Sequence, residues 1–203
     1  MADLLLASQN PGKLNEMRLL VGGLPFRVLG PTDVGIDEGP EETGASFIEN
    51  ATLKARYYAG RSGLLSVADD SGISVDALDG APGLYSSRFG GDDATDLERN
   101  MLLLDLLKSL PPERRGAHFT CAAAVARDDA VLFRVEERVD GLVAEAMRGE
   151  NGFGYDPLFY YPPFGRTFGE VPREDKDRVS HRGKAFARLR TFLARLPQDA
   201  LQT

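Results

Sequence analysis

In the stretch VADDSG (67–72), two carboxylates, Asp69 and Asp70, stand side by side at the end of an apolar run. A second acidic pair, Glu41 and Glu42, lies in the Gly-rich segment GIDEGPEETGA (35–45). Carboxylates brought together repel and raise one another's pKa values. A divalent cation removes that penalty, and Mg²⁺ typically binds through one or two carboxylates, several waters and substrate phosphates. The acids are therefore candidates to hold a metal, or to orient a water beside one. The same segment also reads as a capped turn, with Asp70 and Ser71 bonding nearby backbone.

Three further stretches carry possible chemistry. SQNPGK (8–13) follows an apolar strand-like run and opens a helix. Asn10 suits the N-cap and Pro11 the first helical position, where its missing N–H is not needed. Unpaired N–H groups and the helix dipole there attract an anion such as phosphate, and Lys13 adds a positive charge. The pattern of a Walker loop, GxxxxGK[ST], is absent, and a plain capped helix accounts for the same residues. In NGFGYDP (151–157), Gly152 and Gly154 flank Phe153, so backbone can approach a flat ligand and the ring can lie against it. A base stacked on an aromatic ring gains about 1–3 kcal/mol. Asp156 can accept from a ring N–H, while a Gly-rich turn with a packed Phe is the simpler alternative. In SHRGKAF (180–186), Ser180 suits an N-cap, and His181 and Arg182 project from a helix N-terminus, where cations are disfavoured. Their partner there is expected to be electron-rich, a carbonyl oxygen or a phosphate, or else plain solvent. Lys176 precedes them by one to two turns.

These segments need a scaffold. DLLLAS (3–8) and FRVLG (26–30) read as strands, with a helix between them that turns Leu14, Met17, Leu20 and Val21 inward. Ser46 and Glu49 have capping-box spacing, which predicts a helix over 46–60 with Phe47, Ala51, Ala55 and Tyr58 on its apolar face. LLSVAD (64–69) and ISVDAL (73–78) read as two strands on either side of residues 70–72. A glycine-rich loop (79–93) leads to a helix over 93–109 carrying Leu97, Met101, Leu104 and Leu107, ended by Pro111 and Pro112. Residues 117–127 and 131–141 read as a strand pair turning at Asp128-Asp129. Residues 162–179, rich in Pro, Gly and charge, read as irregular. A last helix, 181–196, places Phe186, Leu189, Phe192, Leu193 and Leu196 inward. Intermingled helices and strands, one pair antiparallel, predict a mixed-sheet α/β fold. No repeat or linker appears, so any lobes must be joined within a single domain, 1–203.

Composition limits the function. The 203 residues are 42% apolar and 27% charged, with a net charge of −7. A chain that binds nucleic acid along its backbone would normally be basic, so no polymeric nucleic acid partner is expected. No apolar stretch reaches the roughly 20 residues that span a membrane, and the opening MADLLLASQN lacks the basic residues and length of a signal peptide. A soluble, cytoplasmic protein with no membrane partner is the expectation. The single cysteine, Cys121, lies in the apolar run FTCAAAV and reads as a core residue.

Taken in order, the motifs SQNPGK, EETGASFIENATLKA, ADDSGISVDALDGAPGLYSSRFGG, GFGYDPLF and K-x-x-x-x-SHRGKA resemble the inosine triphosphate pyrophosphatase family from residue 8 to about 185. The resemblance implies an elongated mixed sheet flanked by helices, in two lobes with an active-site cleft between them, and a homodimer. It implies Mg²⁺-dependent hydrolysis of small-molecule nucleotides, ITP, dITP and XTP, to monophosphate and pyrophosphate. Ser8, Gln9, Asn10, Pro11, Gly12 and Lys13 match the phosphate loop, Asp70 the catalytic, metal-linked aspartate, and Glu41 the acidic metal position. Ser71 matches a substrate-contacting serine. Phe153, Gly154, Tyr155 and Asp156 match the base pocket, completed by Lys176, His181 and Arg182. Asp69 and Lys54 fall near the phosphate and metal cluster. Ser8 stands where the family often has Thr, and GEVPRED (169–175) and YYPPFG (160–165) depart from its usual pattern. A related pyrophosphatase of modified pyrimidines or methylated nucleotides, and a nucleotide sensor without turnover, are the competing readings.

Overall fold

The computed structural model describes residues 1–197. Its strands are β1 (Ala2–Leu6), β2 (Phe26–Leu29), β3 (Leu65–Val75), β4 (Gly116–Arg127), β5 (Ala130–Val143), β6 (Phe159–Tyr161) and β7 (Arg166–Thr167). The helices are α1 (Pro11–Leu20), α2 (Phe47–Ser62), α3 (Asp96–Leu107), α4 (Arg173–Val179) and α5 (His181–Leu193). The hydrogen-bonded strand order is β2-β1-β3-β4-β5-β6-β7. β1 runs parallel to β2 and β3, whereas β6 runs antiparallel to β5 and β7. The sheet is mixed and the fold is α/β, as the sequence predicts.

The chain forms two compact units. Unit 1 comprises Met1–Asp70, Cys121–Glu137 and the chain from Arg182 onward; unit 2 comprises Ser71–Thr120 and Arg138–His181. Strands β3, β4 and β5 each contribute residues to both. In unit 1, alternate residues of β4 serve two cores. Cys121, Ala123 and Val125 pack with Met17 of α1, with Val21 that caps its C-terminus, and with Phe186, Leu189 and Leu193 of α5. Ala122, Ala124 and Ala126 pack with Ala51, Ala55 and Ala59 of α2. Alternation is the strand's period of two, and alanine against alanine lets α2 lie close to the sheet. Unit 2 has one core, built on Ile73, Val75, Leu103, Leu107, Phe119, Phe159 and Phe168.

Several expectations need correction. Residues 64–78 do not form two strands around a turn: β3 runs unbroken from Leu65 to Val75, and all of it but Ser71 is buried. Asp69 and Asp70 therefore lie in mid-strand, and the capped-turn reading falls. α3 starts at Asp96, because Thr95 caps it in a reciprocal box with Glu98. Its buried residues are Asn100, Leu103 and Leu107, while Leu97 and Met101 are 55% and 57% exposed. Hydrogen bonds of Asn100, described below, set that rotation. Residues 162–179 are not wholly irregular. REDKDRV forms α4, with Glu174 and Asp175 in the first turn and Lys176 and Arg178 in the last, the distribution that suits the helix dipole.

Candidate active site

Because neighbouring side chains of a strand point to opposite faces, β3 separates its two aspartates. Asp69 follows Leu65 and Val67, which pack toward α1 and α5; Asp70 follows Ala68, which packs toward α2. The two acids keep different company, all of it within unit 1. Asp69 Oδ2 accepts from Arg182 Nε at 3.1 Å and Nη2 at 3.0 Å, and Lys13 Nζ stands 3.8 Å away. Arg182 Nη1 donates to Glu16 Oε2 at 2.6 Å. Asp69 Oδ1 is buried and accepts no hydrogen bond. Burial alone would push the Asp69 carboxyl upward, but the cations Lys13, Arg182 and Lys54 outweigh it and hold the group well below the usual carboxylate range. Burial opposes the Arg182 charge, and Asp69 and Glu16 more than restore it. Burial next to Asp69 pushes the Cys121 thiol far up, so Cys121 is the inert core residue its sequence context suggests.

On the other face, Asn50 and Lys54 sit four residues apart on α2, one turn above the other. Lys54 Nζ donates to Asp70 Oδ1 at 2.9 Å and to Glu42 Oε1 at 3.0 Å. Desolvation lowers the Lys54 pKa, but Asp70, Glu42 and Asp69 raise it by more, so the net shift is upward. Asn50 Nδ2 donates to Asp70 Oδ2 at 3.2 Å, and its Oδ1 accepts from Gly44 N at 2.8 Å. Ser46 caps α2 through Glu49 N at 3.3 Å, while Glu49 Oε2 reaches back to Ala45 N rather than to Ser46. Glu41, the acid singled out from the resemblance, is exposed. Its neighbour Glu42 is the one that joins Lys54 and Asp70. Adjacent residues of an extended loop point opposite ways, so only one of the two acids can face the cluster.

The loop before α1 behaves as expected. Asn10 Oδ1 accepts from Lys13 N at 3.0 Å and Pro11 begins the helix. Ser8 is buried, and Gln9 donates to the carbonyl of Asp37. The amide of Gly12 is thus the first-turn N–H without a capping side chain in its geometry, with Lys13 beside it. Ser71 lies on β3 at the start of unit 2.

Unit 2 gathers the base-pocket residues. Lys176 Nζ donates to Asp156 Oδ2 at 2.5 Å, both side chains buried. The ammonium lies 5.5 Å from the Phe153 ring centroid and 5.9 Å from that of Phe168. Phe153 N donates to the same Asp156 oxygen at 2.9 Å. Tyr155 is buried, donates to the carbonyl of Ser86 at 2.8 Å, and has its phenol pushed up by burial. His181 stacks on Phe119, with centroids 4.6 Å apart and planes at 9°. Arg182 is counted in unit 1. Its partner is a pair of buried carboxylates in unit 1, and Ser180 serves as the C-cap of α4. Asn50, Glu16, Asp96 and Asn100 escaped the sequence reading, whereas Glu42 was seen only as one of an acidic pair. A polar residue in a helix's apolar row was the available signal for Asn50, Glu16 and Asn100.

In unit 1, buried carboxylates clasped by ammonium and guanidinium groups accompany a capped helix start carrying a lysine, and unit 2 holds an aromatic–lysine–aspartate group; this is chemistry suited to ligands with phosphates and a flat ring. The Ham1 family model matches residues 4–192. A dITP/XTP pyrophosphatase of Yersinia pseudotuberculosis is 46% identical over 187 residues, 91% of this chain and 94% of the relative. One from Thermus thermophilus is 48% identical over 185 residues, 91% and 88% of the two chains. The solved structure of a HAM1 protein from Coxiella burnetii superimposes with a TM-score of 0.86 at 40% identity, covering 97% of this chain and 100% of that one. The Staphylococcus aureus Ham1 protein gives 0.83 at 36% identity, covering 94% and 97%. This chain belongs to the Ham1 family, and it is a hydrolase of the pyrophosphatase type.

Proposed function

We propose that the protein hydrolyses non-standard purine nucleoside triphosphates, ITP, dITP and XTP, to the monophosphate and pyrophosphate with Mg²⁺, in the cytoplasm and as a homodimer. The observation that carries this reading is the Asp70 cluster. Lys54 bridges Asp70 and Glu42 at 2.9 and 3.0 Å, so two hard oxygen donors already share one cation. Among the described residues, no group of three or more His, Cys, Asp or Glu is placed to hold a metal. A pair of carboxylates completed by substrate phosphates is the set Mg²⁺ typically takes. The residues fit the ion, with Asp70 and an acid of the 41–42 pair holding it. Bound there, Mg²⁺ supplies charge neutralisation on the phosphates.

The chain's own residues do the rest. Water attacks the α-phosphorus and pyrophosphate leaves, a reaction that is mostly positioning and electrostatics. Asp70, fixed by Asn50 and Lys54, orients the water and accepts its proton. Lys13, with the start of α1, holds the triphosphate; Lys54 balances the acids beside it. Asp69, buried and held ionised, keeps Lys13 and Arg182 in place. In unit 2, Phe153 offers a face to the base, and Lys176 and His181 act as donors. Hypoxanthine and xanthine carry a 6-oxo acceptor, whereas adenine carries a 6-amino donor that would leave those donors unpaired. Sites of this kind discriminate by about 10⁴–10⁵.

The test is pyrophosphate release from ITP, XTP, GTP, ATP and a modified pyrimidine triphosphate, with Mg²⁺ and with EDTA. Metal-dependent release from ITP and XTP with ATP nearly inert is the expected result. ITP binding without release would favour a sensor, and release confined to modified pyrimidines would favour the related enzyme.

A further inference from the structure

The segment Gly152–Asp156 carries the proposed base platform, and three of its backbone groups are held by side chains. Phe153 N donates to Asp156 Oδ2 at 2.9 Å. Gly154 N donates to Asp96 Oδ2 at 2.8 Å, and Asn100 Nδ2 donates to Gly154 O at 2.8 Å. Asp96 and Asn100 lie at the first residue and the second turn of α3, and together they grip both polar groups of one residue. Asn100 Nδ2 also donates to Asp96 O at 2.8 Å, so two carbonyls fix which way its amide points.

Two features indicate that this grip serves the loop and not only α3. Asn100 is 2% exposed and takes the core-facing place one turn before Leu103. Its Oδ1 is buried and accepts no hydrogen bond, a desolvation cost that an apolar side chain packing α3 would not carry, while both amide N–H groups are spent on carbonyls, one of them Gly154 O. Gly154 has φ +61°, and nothing lies within 4 Å of where a Cβ would stand. The space on its Cβ side is open, and both of its backbone polar groups are bonded from α3.

We propose that Asp96 and Asn100 are positioning residues for base recognition: by clamping Gly154 they set the Phe153 ring as a platform. Asp96 is oriented in turn by Arg99, whose Nη2 donates to Asp96 Oδ1 at 2.6 Å. The inference rests on the purine triphosphate reading above. It concerns the base end alone and leaves the triphosphate end untouched.

The test compares steady-state kinetics on ITP with inhibition by inorganic tripolyphosphate, which has no base. Asp96 is exposed, so Asp96→Ala is expected to fold. Its KM for ITP should rise about three- to tenfold, the size of one net hydrogen bond. Its kcat and the tripolyphosphate inhibition constant should stay within about twofold, since uniform binding alone is lost. Asp96→Asn retains an acceptor and should restore the wild-type KM. Asn100→Leu cannot donate to Gly154 and should likewise raise KM for ITP while leaving tripolyphosphate inhibition unchanged. A wild-type enzyme active on ITP together with an unchanged KM in both Asp96→Ala and Asn100→Leu overturns the clamp. So does an equal loss of tripolyphosphate inhibition, which marks general damage. No release from ITP by the wild type overturns the purine reading itself.

Discussion

Arg182 donates through both Nε and Nη2 to the single oxygen Oδ2 of Asp69, across 113 positions of sequence. Its third contact is Glu16 Oε2. Removing the guanidinium takes from two buried carboxylates the cation they share. Arg182→Met should therefore lower unfolding stability by about 3–5 kcal/mol, the usual cost of breaking a buried charge pair from one side. Urea unfolding at neutral pH measures it, and a loss below about 1 kcal/mol would contradict a buried role for this network.

The depressed Asp69 pKa gives the acid limb of stability a definite sign. A carboxyl held lower in the folded state stabilises it above the unfolded pKa, near 4, and loses that contribution as pH falls toward the folded value. Asp69→Asn should melt below the wild type at pH 7. The gap should shrink as the pH drops below about 4. Thermal melts across that range check this; a gap that widens on acidification would reverse the assignment.

Asp70 has both oxygens engaged, by Lys54 and Asn50. Asp70→Asn keeps the size and shape but not the basicity. We expect kcat for ITP to fall about 10²–10⁴-fold, the range of general base catalysis, with an unchanged far-UV circular dichroism spectrum. Turnover close to wild type would remove Asp70 from the chemistry.

Gly152 has φ +78°, and a Cβ there would stand 2.0 Å from Asp156 Oδ2. That oxygen holds both Lys176 and the Phe153 amide. Gly152→Ala should thus displace Asp156 and raise KM for ITP about tenfold or more, a shift of about 1.4 kcal/mol. Equal KM values for Gly152→Ala and the wild type would show that Asp156 can move without consequence.

Helices α1, α2, α3 and α5 and most strands were legible because their apolar periods and caps are local, whereas α4 has no apolar period to show. Asn10, Ser46 and the Leu189 row needed no tertiary information. The course of β3 was hidden because Asp-Asp-Ser-Gly mimics a turn. Only burial against helices on both faces makes it strand, and only then does the pair split into Asp69 with Arg182 and Asp70 with Lys54. The choice between Glu41 and Glu42 turns on which way one loop residue points, and that is decided by Lys54 sixteen residues before Asp70. The pairing of Arg182 with Asp69 and Glu16 was hidden because those carboxylates lie 113 and 166 positions away. The Asn100 amide shows as a polar interruption in an apolar row, but its target, Gly154, is 54 residues distant.

The guanidinium that neutralises Asp69 lies 113 residues downstream of it. Unit 1 is drawn from three separate stretches of the chain, and its core takes Phe186, Leu189 and Leu193 from the last helix. Arg182 lies in the first turn of that same helix, so one element delivers both apolar packing to the core and the guanidinium to Asp69 and Glu16. A cut in the chain just before α5 would remove both at once.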